Sequence, residues 1–155
     1  KFSHAQGYFE ASIRAVQTRN RGWAVYRIRN PDLNKVPAAE MNFIFTGGDK
    51  ISPEMSFYDD AGRHPLAPKE SPIAMDGGKS YKKFLTYGLQ WTDKAYIWYV
   101  EGRQVHKLSR PTPNSPMFID FHLSLPEGGL LKDFMNPKMG PEPMQVDWVK
   151  VFKIP

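Results

Sequence analysis

Apolar residues in this chain recur at every second position in short runs, and no segment longer than ten residues holds a capped 3.6-residue period. Phe9, Ala11, Ile13 and Ala15 alternate with Tyr8, Glu10, Ser12 and Arg14, and Met41, Phe43 and Phe45 alternate with Glu40, Asn42 and Ile44. Further strand-like runs cover Trp23 to Ile28, Glu54 to Tyr58, Phe84 to Gln90, Tyr96 to Val100, Met117 to Leu123 and Met144 to Phe152. One helical turn is expected over Leu130 to Met135. Gly and Pro, 12 and 14 copies, gather in DDAGRHPLAPKESPIAMDGGKS, SRPTPNSP and PEGGLLKDFMNPKMGPEP, which read as loops. Within TDKAYIWYVEGRQVHKL, a Glu101-Gly102 turn predicts a hairpin that returns through Val105. Many short strands with such connections predict an all-β sandwich or barrel and exclude a parallel α/β fold.

A length of 155 residues suits one domain, 1–155, able to bury a core but too short for two. Lys and Arg outnumber Asp and Glu by 21 to 16, so the surface leans toward anionic partners. The longest basic run is Lys82-Lys83, which argues against nucleic acid, since no basic patch or helix stands out. The absence of cysteine removes disulfides, thiolate metal sites and thiol nucleophiles together. KFSHAQGYFEAS has no apolar signal core and no stretch approaches 18 apolar residues, so neither a signal peptide nor a membrane span is visible.

The stretch AAEMNFIFTGGD poses the sharpest question. Its polar row would be Glu40, Asn42 and Ile44, and a β-branched hydrocarbon does not belong third in such a row unless it is covered or has replaced a polar residue. Taken alone, Glu40 and Asn42 fit a solvated strand face and Ile44 fits ordinary packing.

Read in order, GYFEASIRA, the pair WAVYRI and AEMNFIF, then YGLQWTDKAYIWYVEGRQV and finally MQVDWVKVFK resemble glycoside hydrolase family 16, the family of lichenases, laminarinases, agarases, carrageenases and xyloglucan transglycosylases. The resemblance implies a concanavalin A-like jelly-roll β-sandwich of two curved antiparallel sheets with a sugar cleft across the concave face. Family members carry several dozen residues before the segment matching GYFEASIRA, so the expectation is a shortened domain, or a chain that begins after a cleavage or boundary. A partner chain could then supply the missing strands, because an exposed sheet edge invites pairing. By resemblance the protein is expected outside the cytoplasm, extracellular or periplasmic.

The family's ExDxE strand falls on Glu40 as nucleophile, Asn42 as the middle Asp and Ile44 as the acid/base. In the bulged register the last position is Phe45. Residues i, i+2 and i+4 share a face and span roughly 13 Å of strand, so two inward-leaning Glu side chains can reach the separation of about 5 Å that a retaining mechanism uses. Neither Ile44 nor Phe45 can protonate a leaving oxygen. The expectation is a glycan-binding pseudoenzyme without ordinary hydrolysis. The alternatives are an active glycanase or transglycosylase with Asp120 or Glu54 as a relocated acid, and a structural or assembly module.

Sugar clefts use aromatic faces for pyranose rings and amides, carboxylates or guanidinium groups for hydroxyls. By resemblance Trp23 and Tyr58 line the cleft, while Trp91, Trp98 and Trp148 belong to the framework and are expected in the core. Tyr26 completes the aromatic candidates. His122 stands where family members often place a cleft Trp, and Asp120, two residues away, shares its face. Arg27, Arg63 and His64 would border the cleft and suit an anionic polysaccharide. No cofactor is expected, and no Asp-rich loop supports a metal site.

Overall fold

The computed structural model describes residues 6–15, 23–32, 34, 38–46, 50–66, 73–74, 82–109, 116–124 and 144–154, and among them every regular element is a strand. In chain order these are β1 (Gly7–Arg14), β2 (Trp23–Arg29), β3 (Ala38–Thr46), β4 (Lys50–Asp59), β5 (Gly62–Leu66), β6 (Ile73–Ala74), β7 (Leu85–Trp91), β8 (Ala95–Val100), β9 (Arg103–Ser109), β10 (Phe118–Ser124) and β11 (Gln145–Phe152). They form two sheets, one ordered β11-β1-β7-β8-β9 and the other β10-β2-β3-β4-β5, with the short β6 also paired to β4. All pairings are antiparallel. The helical turn expected over Leu130 to Met135 lies outside the described residues.

Period-two patterning decides which side of each strand faces the core. Phe9, Ala11 and Ile13 of β1, Tyr87, Leu89 and Trp91 of β7, and Tyr96 and Trp98 of β8 are buried from one sheet. Ala24, Tyr26 and Ile28 of β2, Met41, Phe43 and Phe45 of β3, and Ile51 and Met55 of β4 meet them from the other. The sheets interlock through rings, Tyr87 packing edge-on to Phe43 at 5.3 Å and to Phe45 at 4.9 Å. The Trp98 indole N–H crosses the core to donate to the Asn42 carbonyl at 2.9 Å, fixing the strand that carries the Glu40 row.

Two sequence expectations need correction. Gly62 to Leu66, inside a Gly/Pro-rich stretch read as loop, forms β5, because Asp59, through Ala61 N–H at 2.8 Å, and Gly62, at φ 116°, close a tight hairpin after β4. Trp148 is not in the core. It pairs with Ser12, faces away from the other sheet and carries the Lys150 ammonium 4.3 Å from its ring centroid. Trp91 and Trp98 are fully buried, as expected.

The Glu101-Gly102 hairpin forms where the sequence placed it, with φ of 51° and 71° at its two central residues. A left-handed Glu is unfavourable by itself. Here Glu101 N–H donates to the Thr86 carbonyl at 2.8 Å, and its carboxylate accepts from Thr86 N–H at 2.5 Å, so two bonds to the neighbouring strand offset the strain.

Along one side the sandwich is open among the described residues. Leu123 on β10 and Val146 and Val149 on β11 point toward the core side of their sheets, yet are 43%, 37% and 39% exposed, on strands that end their sheets.

Candidate functional site

Glu40, Asn42 and Ile44 lie on the outer face of the six-stranded sheet, since Met41, Phe43 and Phe45 between them are buried in the core. Register then dictates their neighbours. Asn42 sits between Arg27 and Glu54, and Arg27 is followed by Asp120; Glu40 sits between Arg29 and Ser56; Ile44 sits between Val25 and Ser52, with His122 beyond Val25. Four strands thus bring together side chains far apart in sequence, Arg27 and Asp120 by 93 positions.

The Glu40 end of the row is a knit of charges. Tyr58 donates its hydroxyl to Glu40 Oε1 at 3.1 Å, Arg63 Nη2 lies 3.7 Å from the same oxygen, and Arg27 Nη1 lies 3.6 Å from Oε2. Arg27 also directs Nε, at 2.7 Å, and Nη2 onto Asp120 Oδ2, while Arg63 Nη2 donates to Glu54 Oε1 at 2.8 Å. Two guanidinium groups therefore bridge three carboxylates, and the planar fork of Arg suits this sharing as a Lys point charge would not. Arg29 lies 3.7 Å from Asp120 and rests on the Phe118 ring at 4.8 Å. Burial, followed by the neighbouring Glu40, raises the Tyr58 phenol above its ordinary range against the opposing pull of Arg63, so it stays a donor.

Glu40 is buried, 5% exposed, beneath Tyr58 and Arg63, whereas Arg63 is half exposed. A ligand arriving on this face meets Arg63, Tyr58, Arg27 and Asp120 before Glu40. Asn42 is buried as well, and its side-chain oxygen has no hydrogen-bond partner. The two residues toward which an acid could have been displaced, Asp120 and Glu54, each present an oxygen to a guanidinium, which offers only N–H donors.

Other candidates separate by side. Tyr26 is not in the site: it is fully buried between the sheets, stacked on Phe121 at 5.2 Å and Phe43 at 6.3 Å, because it alternates with Arg27 along β2. His64 also leaves the cluster. It pairs with Phe57, on the opposite face from Arg63, and meets Asp59 at 2.8 Å. That hydrogen bond is the first cause of the lowered Asp59 carboxyl. His122 is exposed on the Ile44 row rather than beside Glu40. Trp23 opens β2, paired with Thr46 and Ser124.

Two contributors had no sequence signal strong enough to single them out. Arg29 follows Arg27 by two residues, so alternation alone places it on the same face. Asn30, buried, accepts Ala39 N–H at 2.7 Å and donates to the Pro116 carbonyl at 3.1 Å, tying the end of β2 to the start of β3 and the approach to β10. The residue after Ala39 is Glu40, so this buried amide helps set the register on which the cluster depends.

The chain matches the pattern of one family, glycosyl hydrolases family 16, over residues 1–150. The chain belongs to glycosyl hydrolases family 16. A curated relative, a xylanase/β-glucanase of Ruminococcus flavefaciens, is 24% identical over 71% of this family 16 chain, and the matched stretch makes up 13% of that relative. Among solved structures, a family 16 endo-glucanase from Bacteroides ovatus, in complex with an oligosaccharide derivative, superposes with a TM-score of 0.80 at 15% identity, covering 98% of this chain and 71% of its own. A κ-carrageenase from Zobellia galactanivorans superposes at 0.70 with 17% identity, covering 97% and 68%. The chain thus spans a small part of the curated relative and about seven tenths of these solved structures. At such identities the structures show a shared jelly-roll sandwich, and the family match carries the glycosidase-like relationship.

Proposed function

We propose that this family 16 domain binds a polysaccharide across the outer face of its six-stranded sheet and does not carry out ordinary retaining hydrolysis. The observation that carries the reading is Ile44. It continues the row of Glu40 and Asn42 at the position where the family resemblance calls for the acid/base, and its lateral neighbours are Val25 and Ser52. A retaining mechanism needs one group that protonates the departing oxygen and later activates water. Neither register neighbour of Ile44, Val25 or Ser52, carries a carboxyl group able to protonate a leaving oxygen. The covering of Glu40 by Tyr58 and Arg63 supports the same reading, since a nucleophile must reach an anomeric carbon.

The ligand we favour is neutral rather than anionic. Arg27, Arg29 and Arg63 face Asp120, Glu40 and Glu54 in equal number, so the cluster neutralises itself and presents hydrogen-bonding groups. Binding that changes little between low and high salt is the expected result, because screening weakens only net charge attraction. An extracellular or periplasmic setting belongs to this proposal.

The test is paired. The wild-type chain should be retained by a soluble mixed-linkage β-glucan yet release no reducing ends. The double change Asn42→Asp with Ile44→Glu should restore measurable turnover of an activated aryl glycoside, and adding Glu40→Gln should abolish it. Wild-type turnover would overturn the proposal: abolished by Glu40→Gln, it would point to Asp120 or Glu54 as the relocated acid, and surviving Glu40→Gln it would move the chemistry away from Glu40, toward Asp120 and His122.

A second reading rests on the open side of the sandwich. Leu123, Val146 and Val149 leave apolar core-side surface exposed on two sheet edges, the condition under which another chain adds strands. A solution mass of one chain at micromolar concentration would remove it.

A further inference from the structure

The outer face of the five-stranded sheet is built unlike an ordinary solvated sheet surface. Residues alternating with the core set place Tyr8, Glu10, Ser12 and Arg14 of β1 on this face, and register puts Phe152, Lys150 and Trp148 of β11 opposite the first three. From the other side β7 contributes Gln90, Gly88 and Thr86, and β8 contributes Ile97 and Tyr99. Antiparallel sheets that face water on one side are normally polar there. This one carries Tyr8, Tyr99, Trp148 and Phe152 as well, and Phe84, at the end of the sheet, adds a further ring 42% exposed.

These rings are held in place. Tyr8 lies across Gly88, where a Cβ would fall 2.3 Å from its hydroxyl and 2.7 Å from two ring carbons, so the glycine is what lets the phenol lie down on the sheet. The Tyr8 hydroxyl donates to Glu10 at 2.9 Å, and its ring meets Tyr99 edge-on at 5.7 Å and Phe152 at 6.0 Å. Tyr99 donates to Gln90 at 2.6 Å. Lys150 over Trp148 and Arg14 beside Phe84, at 4.3 and 5.9 Å, flank the group, and Glu10 stands opposite Lys150, so opposite charges are mixed across the face.

We propose that this aromatic and amide surface is a second glycan-contact site, on the sheet opposite the Glu40 cluster, for a neutral polysaccharide chain. Pyranose rings present an apolar CH face and a rim of hydroxyls, and that pattern is matched by fixed phenol and indole rings interleaved with Gln90, Glu10 and Thr86. A protein partner would favour a continuous apolar patch, and a strongly charged ligand would need charge of one sign; the face offers neither. The inference does not depend on the Glu40 cluster binding sugar.

The two sites are separable by affinity electrophoresis in soluble mixed-linkage β-glucan, with κ-carrageenan as the charged comparison. A Tyr58→Ala/Arg63→Ala protein, altered only on the six-stranded sheet, should keep part of its retardation in the glucan. Adding Tyr99→Ala to it should weaken the remainder by roughly threefold to tenfold at unchanged melting temperature. Gly88→Ala, which forces Tyr8 off the sheet, should do the same, and Tyr99, half-buried on the outer face, keeps the test valid if the glycine variant fails to fold. Loss of all retardation in the Tyr58→Ala/Arg63→Ala protein, or retardation indifferent to Tyr99→Ala, overturns the second site while leaving the first. A wild-type chain retarded by neither polysaccharide overturns both. Stronger retardation by κ-carrageenan that is lost with Tyr99→Ala overturns the neutral assignment, and a solution mass that halves with Tyr99→Ala shows the face to be a contact between copies.

Discussion

The two faces of β3 run back to back yet follow different rules. On the inner face Met41, Phe43 and Phe45 are fully buried and packed against rings of the opposite sheet. On the outer face Glu40 and Asn42 are almost as inaccessible, but Glu40 is covered by Tyr58 and by arginines from neighbouring strands. Burial by hydrocarbon is non-directional and scales with area. Burial by a charge network depends on each partner staying in place, because a buried polar group that loses its partner costs more than the bond was worth. One face should therefore respond to lost volume and the other to lost partners.

The largest expected effect is on the inner face. Phe43→Ala should lower unfolding free energy by about 3–5 kcal/mol, measured by denaturant titration, through lost transfer energy and the cavity left beside Tyr26 and Tyr87. A cost under about 1 kcal/mol would mean that the sheets close over the gap and that the rings do not interlock them.

Next is Arg27→Ala, which leaves Asp120 and the buried Glu40 each short of a guanidinium. A loss of about 1–3 kcal/mol is expected. Arg27→Lys should recover only part of it, since one ammonium cannot serve both carboxylates in the same geometry. Full recovery by Lys would reduce the network to simple charge balance and blur the contrast between the faces.

Tyr58→Phe removes only the hydroxyl that donates to Glu40. About 1–2 kcal/mol of stability should go with that charge-assisted bond. Tyr58→Ala should in addition weaken glycan binding, read by the same affinity gel, because it removes the ring. If Tyr58→Phe alone lost the binding, the hydroxyl rather than the aromatic face would be the contact.

The smallest effect comes from His106, at the edge of the inner layer, its ring 5.0 Å from Trp98. Burial pushes the imidazole below its ordinary value of 6.5. The unfolded chain then binds the proton first, so the stability tied to neutral His106 is fully present above pH 6.5 and is lost as pH falls through 6.5 toward the folded value. His106→Gln should flatten the melting temperature across that interval. An unchanged slope would assign it to other groups.

Much of this architecture was legible in the chain. Alternation within each strand is local, and it separated the core set of β1 and β3 from their outer residues without reference to partners; the Glu-Gly pair marked the turn at 101–102, and the family resemblance marked Trp91 and Trp98 for the core. The same alternation placed Glu40, Asn42 and Ile44 on one face. Tyr26 has the chemistry of a cleft residue and stands next to Arg27, but parity along the strand sends adjacent residues to opposite sides. Trp148 differs for another reason, since its side is set by pairing with Ser12 at the other end of the chain, and His64 differs because a stretch read as loop folds back on β4 as a hairpin strand, pairing His64 with Phe57.

What the sequence determined alone was therefore the alternation of its clearest strands and the placing of Glu40, Asn42 and Ile44 on one face, both set by neighbours within a few residues. Only the tertiary structure decided that Arg27 reaches Asp120, 93 positions away, that Arg63 lies over Glu40, and that Tyr8 rests on Gly88. Those contacts depend on strand order and register, which side-chain period does not encode, since any strand of matching parity satisfies the same pattern. The order is settled when both sheets close on one core, and the charges and rings on the outer faces take the neighbours that this closure gives them.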